Sequence, residues 1–176
     1  MRVISGTARG RKLKTPGGFD IRPTSDIVKE SIFNIIQFDI EGRKVLDLFA
    51  GTGQLGIEAL SRGAESVTFV DSKRESAELV RENLKLCGFA DSAVVYCCDA
   101  LAFLNSNERF DLIFLDPPYD LGTSVQALQK IVEFDKLNEH GIIICETKEA
   151  LPESSPPFGI FKEYKYGGVR ITKYGK

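Results

Sequence analysis

From Lys44 onward the chain alternates short apolar runs with amphipathic helical segments, and this alternation limits the fold more than any other feature. Strands are expected at 44–49, 66–71, 93–97, 111–116 and 141–146, with helices at 54–62, 73–86, 99–105 and 123–134 between them. Short connections between like-directed strands require right-handed crossovers. The expected architecture is therefore α/β, a largely parallel central sheet with helices on both faces. Two later runs, 158–166 and 169–174, flank Gly167 and Gly168, whose freedom at positive φ suits a tight turn, so an antiparallel hairpin should close the sheet.

Ahead of this core, residues 2–5 and 11–14 can pair as a small hairpin across Gly6 to Gly10. A helix is expected over about 25–37, with Thr24 or Ser25 as N-cap. Ile27, Val28, Ile32, Ile35 and Ile36 would face inward, and Lys29, Glu30 and Asn34 outward. A length of 176 residues suits one domain, divided into an N-terminal extension (1–38) and a core (39–176). The net charge is only −2, but residues 1–22 hold six basic side chains against one acid, leaving +5 there and −7 elsewhere. Such a basic arm suits a polyanion, and it equally describes a solvated terminus.

Other classes find little support. The apolar runs are far too short to span a membrane, and the start of the chain lacks the charged-then-apolar layout of a signal peptide, so a cytoplasmic protein is expected. Cys87, Cys97, Cys98 and Cys145 form no C-x-x-C pair and fall in strands or helices, which suggests reduced core thiols and no metal site. His140 is the single histidine and reads as a turn residue before a strand.

The chemistry concentrates at strand ends. Asp111 to Tyr119, D-L-I-F-L-D-P-P-Y, is an apolar strand that stops at an acid, two prolines and an aromatic. Pro117 and Pro118 cannot donate to a ladder, so pairing ends there and a rigid turn presents Asp116, a carbonyl and the ring of Tyr119. A plain strand terminator has the same composition. The first core strand runs into Asp47-Leu-Phe-Ala-Gly51-Thr-Gly53-Gln-Leu-Gly56, a G-x-G-x-x-G loop, and Asp71 lies 20 residues beyond Gly51, where a ribose-binding acid belongs. Spacing alone would suit a dinucleotide. Asp47, however, would repel a pyrophosphate and attract an ammonium or sulfonium group. S-adenosyl-L-methionine, an α-amino acid carrying a cationic sulfur, fits better. Asp99, after the third strand, is placed to accept from an adenine amine, although each of these acids alone would also serve as a helix N-cap.

Methylating an exocyclic base amine requires its lone pair to be drawn out of conjugation and aimed. Asp116 can accept one N–H and the carbonyl of Pro117 the other, Pro118 fixes the turn, and Tyr119 can stack on a base swung out of its surroundings.

These segments resemble the RsmD family of class I, Rossmann-like methyltransferases, which act on the N2 amine of a guanine in 16S ribosomal RNA. The resemblance rests on G-R-K-L (10–13), R-P-T-S-D-I-V-K-E-S-I-F-N (22–34), D-L-F-A-G-T-G-Q-L-G-I-E-A-L-S-R-G-A (47–64), D-P-P-Y (116–119) and Y-G-G-V-R-I-T-K-Y (166–174). It implies cofactor contacts from Asp47, Phe49, Gly51, Gly53, Asp71 and Asp99, with Ala50, Thr52, Ser72 and Ala100 beside them. It also implies base contacts from Asp116, Pro117 and Tyr119, and RNA contacts from Arg9, Arg11, Lys12, Arg22 and Thr24. The implied partner is 16S rRNA in a partly assembled 30S particle, met by a monomer. Ser72 is small where many relatives place a larger side chain against adenine. An adenine-N6 methyltransferase shares D-P-P-Y, and a catalytically silent RNA-binding module would share the fold. The first would want a target-recognition domain for which there is little room, and the second has no need of so many acids.

Overall fold

The computed structural model describes residues 1–16, 26–117, 121–151 and 158–176. The expectations for Arg22, Thr24, Ser25, Pro118 and Tyr119 lie outside them. Seven strands, β1 (Lys44–Asp47), β2 (Ser66–Asp71), β3 (Ala93–Cys97), β4 (Phe110–Leu115), β5 (Leu137–Thr147), β6 (Ile160–Tyr166) and β7 (Val169–Gly175), form one sheet in the order β3-β2-β1-β4-β5-β7-β6. The first five are parallel, and β7 runs antiparallel to both β5 and β6. The strand order reverses between β1 and β4, so their carboxyl ends open the crevice where ligands of such sheets bind.

Helices α1 (Asp26–Ile35), α2 (Gln54–Ser61) and α3 (Arg74–Cys87) cover one face, and α4 (Ala100–Phe103) and α5 (Leu121–Glu133) the other. Each face has its own core, because alternate residues of the buried strands point to opposite sides. Leu112 and Phe114 join Ile32, Phe33, Ile57 and Val80 on the first face; Ile113 and Leu115 join Leu104, Leu128 and Ile131 on the second. Phe33 of α1 packs on Phe114 with ring centroids 5.7 Å apart and lies under the guanidinium of Arg62.

The N-terminal hairpin shrinks to one antiparallel bridge, Arg2 with Lys12, and residues 4–8 turn their backbone groups to α2. Glu58 accepts the N–H groups of Ile4 and Ser5 at 2.7 and 2.9 Å. The backbone oxygen of Ser61 accepts from Thr7 N, and its hydroxyl oxygen from Ala8 N. Gly6, at φ +80°, makes this approach possible, since a Cβ there would fall 1.7 Å from the Ser61 carbonyl oxygen.

Three expectations need correction. Lys29 is fully buried, donating to the Arg2 carbonyl at 2.6 Å and standing 3.6 Å from Glu58, while Ile27 is 71% exposed. Periodicity alone sends a lysine outward; a buried carboxylate on another helix reverses that here. Strand β5 begins at Leu137, earlier than expected, through a register shift opposite Phe110–Leu112. His140 keeps its turn-like backbone, φ +59°, inside that irregularity. Cys145 is buried, but Cys97 is exposed, because β3 is an edge strand.

Gly56 fixes how closely α2 lies on the sheet. A Cβ there would stand 2.3 Å from Phe69 Cε1 and 2.8 Å from Val67 Cγ1, both on fully buried side chains of β2. Gly56→Ala gains about 1 kcal/mol in helix propensity against an overpacking cost of about 1–3 kcal/mol. The expected outcome is a lower urea midpoint with an unchanged m-value; a midpoint at or above that of the wild type would show that Phe69 yields.

Candidate active site

Five adjacent parallel strands end in an acid at the same edge. In sheet order these are Asp99 after β3, Asp71 closing β2, Asp47 closing β1, Asp116 after β4 and Glu146 near the end of β5. Asp47, Asp116 and Asp71 lie close enough for their charges to interact, and Asp116 likewise acts on Glu146.

Three of the acids have backbone donors. Asp47, 3% exposed, accepts the N–H of Gly56 at 3.0 Å, one of the first-turn N–H groups that α2 cannot satisfy internally. Asp71 accepts from Gly51 N and Lys73 N, both at 2.8 Å, tying the glycine loop to the tip of β2. Asp99 accepts from Ala102 N at 2.8 Å and so is the N-cap of α4, with its other oxygen free of that duty. Among the described residues no hydrogen bond reaches Asp116, and Glu146 Oε2 is buried without a partner.

Burial acts on these groups as desolvation of like charges must. The Asp47 carboxyl is raised to about 7, chiefly by burial, with the Gly56 N–H pulling it down and Asp116 and Asp71 adding to the rise. Asp116 is raised by burial to about 6. Glu146 rises to about 8, from burial first and the neighbouring Asp116 second.

The loop between β1 and α2 follows a backbone path that depends on glycine. Gly51 and Gly53 sit at φ +54° and +76°. A Cβ on Gly51 would meet open space, so that glycine serves backbone conformation; one on Gly53 would press 3.2 Å from Val80. Ala50 and Thr52 are buried, Phe49 is half-buried, and Gln54 Oε1 is buried without a partner. Next to the β2 tip, Ser72 is exposed; Ala100 is buried beyond Asp99. Asp116 is half-buried and Pro117 buried.

The basic arm lies against this loop. Asn83 of α3, wholly buried, accepts from Lys14 N at 2.7 Å and donates to Lys14 O and Thr52 O at 3.1 and 3.0 Å. Arg9, Arg11 and Lys12 are exposed on the arm. Arg9 borders a polar hollow with Arg2, Asp26 and Glu30. Sequence reasoning missed Asn83, Gln54 and Glu146. For Glu146 the signal was present: I-I-I-C-E has the same form, an apolar run closed by an acid, as K-V-L-D and F-D-L-I-F-L-D. Among the described residues, no group of three or more histidine, cysteine, aspartate or glutamate side chains is disposed to hold a metal ion, and no helix is long and apolar enough to cross a membrane.

A sheet of this order, with a glycine loop after β1, strand-tip acids and D-P-P after β4, defines the Rossmann-like class I methyltransferases. The chain belongs to the family described as conserved hypothetical protein 95, whose model matches residues 1–175; this is the RsmD family. It is 42% identical to YlbH of Bacillus subtilis, covering 100% of this chain and 99% of that protein. It is 36% identical to the ribosomal RNA small subunit methyltransferase D of Haemophilus influenzae, over 99% and 93% of the two chains. The solved structure of yhhF from Escherichia coli superposes with a TM-score of 0.90 at 32% identity, over 100% of this chain and 97% of that one.

The raised carboxyl of Asp47 has a consequence for stability. A carboxyl whose folded pKa lies above its unfolded value favours the folded state below pH ~4 and loses that contribution as pH climbs through about 7. Asp47→Asn keeps an oxygen for the Gly56 N–H and removes the charge. Without ligand it should be more stable than the wild type at pH 8, by up to about 4 kcal/mol, and the gap should close by about pH 4. Thermal unfolding at the two pH values checks this; a variant less stable at pH 8 would mean that the charged hydrogen bond outweighs burial.

Proposed function

We infer that this chain transfers a methyl group from S-adenosyl-L-methionine to the exocyclic N2 amine of a guanine in 16S ribosomal RNA. We further infer that it acts as a monomer on a partly assembled small-subunit particle. The observation that carries this reading is the placement of Asp116 and Pro117 at the β4 tip, across the strand-order reversal from Asp47 and the glycine loop at the β1 tip.

The residues present fit the cofactor. Its amino acid portion carries an ammonium group beside a sulfonium, and Asp47 and the partnerless Gln54 Oε1 offer acceptors to cations at that point. Asp71 and Asp99 retain lone pairs beyond those given to the backbone, suited to ribose hydroxyls and the adenine amine. Phe49, Ala50, Gly51, Thr52, Gly53, Ser72 and Ala100 surround these acids and complete the proposed pocket. When bound, the cofactor supplies an electrophilic methyl group. Everything else falls to this chain.

Asp116 accepts one N–H of the target amine and the Pro117 carbonyl the other, which turns the nitrogen lone pair out of the base plane. With its carboxyl held near 6, Asp116 is poised to take the proton that the amine sheds on becoming a secondary amine. Pro118 and Tyr119 follow directly in sequence and are assigned the rigid turn and the stacking of the base. The extension, residues 1–38, is assigned the RNA, with phosphate contacts from Arg9, Arg11, Lys12, Arg22 and Thr24.

Labelled methyl should pass from the cofactor to undermodified 30S particles and appear on nucleoside analysis as N2-methylguanosine. Label in N6-methyladenosine, or none in RNA, would overturn the reading. Asp116→Ala should lower transfer at least about 100-fold, the scale on which aligned polar groups act, while calorimetry finds cofactor affinity within a few-fold of the wild type. Loss of both would make Asp116 a structural residue. The double variant Arg9→Glu and Arg11→Glu should weaken RNA binding and flatten its salt dependence by about two phosphate contacts' worth of slope. An unchanged slope would remove the arm from the RNA interface.

A further inference from the structure

We propose that Glu146 is a specificity residue that reads the target base: its carboxylate accepts the N1–H of the guanine whose N2 amine is held by Asp116 and Pro117. The proposal rests on the guanine-N2 reading above and adds the group that enforces it.

The strand register places Glu146 there. Cys145 of β5 pairs with Leu115 of β4, so the next residues, Glu146 and Asp116, are neighbours on adjacent parallel strands, about 4.8 Å apart along the sheet. Cys145 and Leu115 both point into the core beneath α4 and α5, and the pleat turns the following pair to the opposite face. That is the face on which Phe114 and Ile144 pack and on which Asp47 follows Leu46, so Asp47, Asp116 and Glu146 share one side of the crevice. The charge of Asp116 acts on Glu146 directly.

Three of the other strand-tip acids have backbone donors, and Glu146 Oε2 has none. Asp47, Asp71 and Asp99 each accept at least one backbone N–H, whereas Glu146 Oε2 is shielded from solvent with no hydrogen-bond partner. A buried acceptor left in this state is costly, and such a cost is retained in folded proteins where a ligand supplies the missing donor. Beside Asp116 that donor comes from the base. Guanine presents N1–H and the N2 amine side by side, two adjacent donors for two adjacent carboxylates. Adenine offers a bare acceptor at N1, which, once Glu146 is ionised above about pH 8, would face a carboxylate with no proton between them.

2,6-Diaminopurine separates this role from mere support of the fold, since it carries the N2 amine with an acceptor at N1. Small-subunit particles are reconstituted with 16S RNA bearing either guanine or 2,6-diaminopurine at the methylated position, and transfer rates are compared at pH 8.5, above the value near 8 to which burial and Asp116 raise Glu146. Wild-type protein should prefer guanine by at least about 100-fold, the scale of a site whose polar group is left unmatched. In Glu146→Gln the amide can turn its oxygen to N1–H or its nitrogen to a bare N1, so the preference should fall below about 5-fold. Glu146→Asp, which keeps the carboxylate, should retain most of the preference. Cofactor affinity by calorimetry should stay within a few-fold throughout. A wild-type preference that survives unchanged in Glu146→Gln would overturn the role of Glu146 while leaving the guanine-N2 reading intact. Failure of the wild type to methylate guanine N2 at all would overturn that reading, and this proposal with it.

Discussion

Carboxylates crowded at one edge of the sheet are the constraint around which this protein is arranged. Charges of one sign, taken out of water side by side, resist folding unless donors or cations answer them. The backbone answers part of the demand. Asp47 takes an N–H from the start of α2, Asp71 ties down the glycine loop, and Asp99 caps α4. In each case the same hydrogen bond fixes the position of a loop that borders the crevice. Asp116 and Glu146 receive no such answer among the described residues, and their carboxyls stay well above the ordinary range. The two acids assigned to the substrate base are therefore the two that the fold leaves unsatisfied.

The N-terminal extension is bound into the same framework. Glu58 and Ser61 of α2 take up backbone N–H groups from residues 4–8, and Lys29 of α1 is buried toward Glu58. Asn83 then joins Lys14 at the end of the arm to Thr52 in the glycine loop. Helix α2 thus holds the arm along its length and begins at the loop whose acid it caps. Arg9, Arg11 and Lys12 sit on this arm, which is held to the helix that begins at the glycine loop. Phe33 against Phe114 gives α1 the same anchorage from the other direction.

Much of the fold was legible because period and punctuation agree. Apolar runs alternating with helical stripes gave the parallel core, and Gly167-Gly168 gave the closing hairpin. Strand-tip acids were visible as residues that stop an apolar run. Partners distant in sequence were not visible. Nothing near Lys29 announces Glu58, 29 residues on, so helical spacing sent Lys29 to the surface and Ile27 to the core. Asn83 looked like an ordinary polar position on an amphipathic helix, since its partners lie in two other segments. Glu146 could have been found by applying to β5 the rule that found Asp47 and Asp116.

The central claim is that the buried acid of the β1 tip, Asp47, receives a cation. Titration calorimetry of S-adenosylmethionine binding, run at several pH values in buffers of differing ionisation enthalpy, measures it directly. With Asp47 near 7 before binding, a cationic ligand should draw off a fraction of a proton at pH 7, and affinity should weaken as pH falls from 8 to 6. Binding that exchanges no protons and keeps the same affinity across that range would contradict the claim.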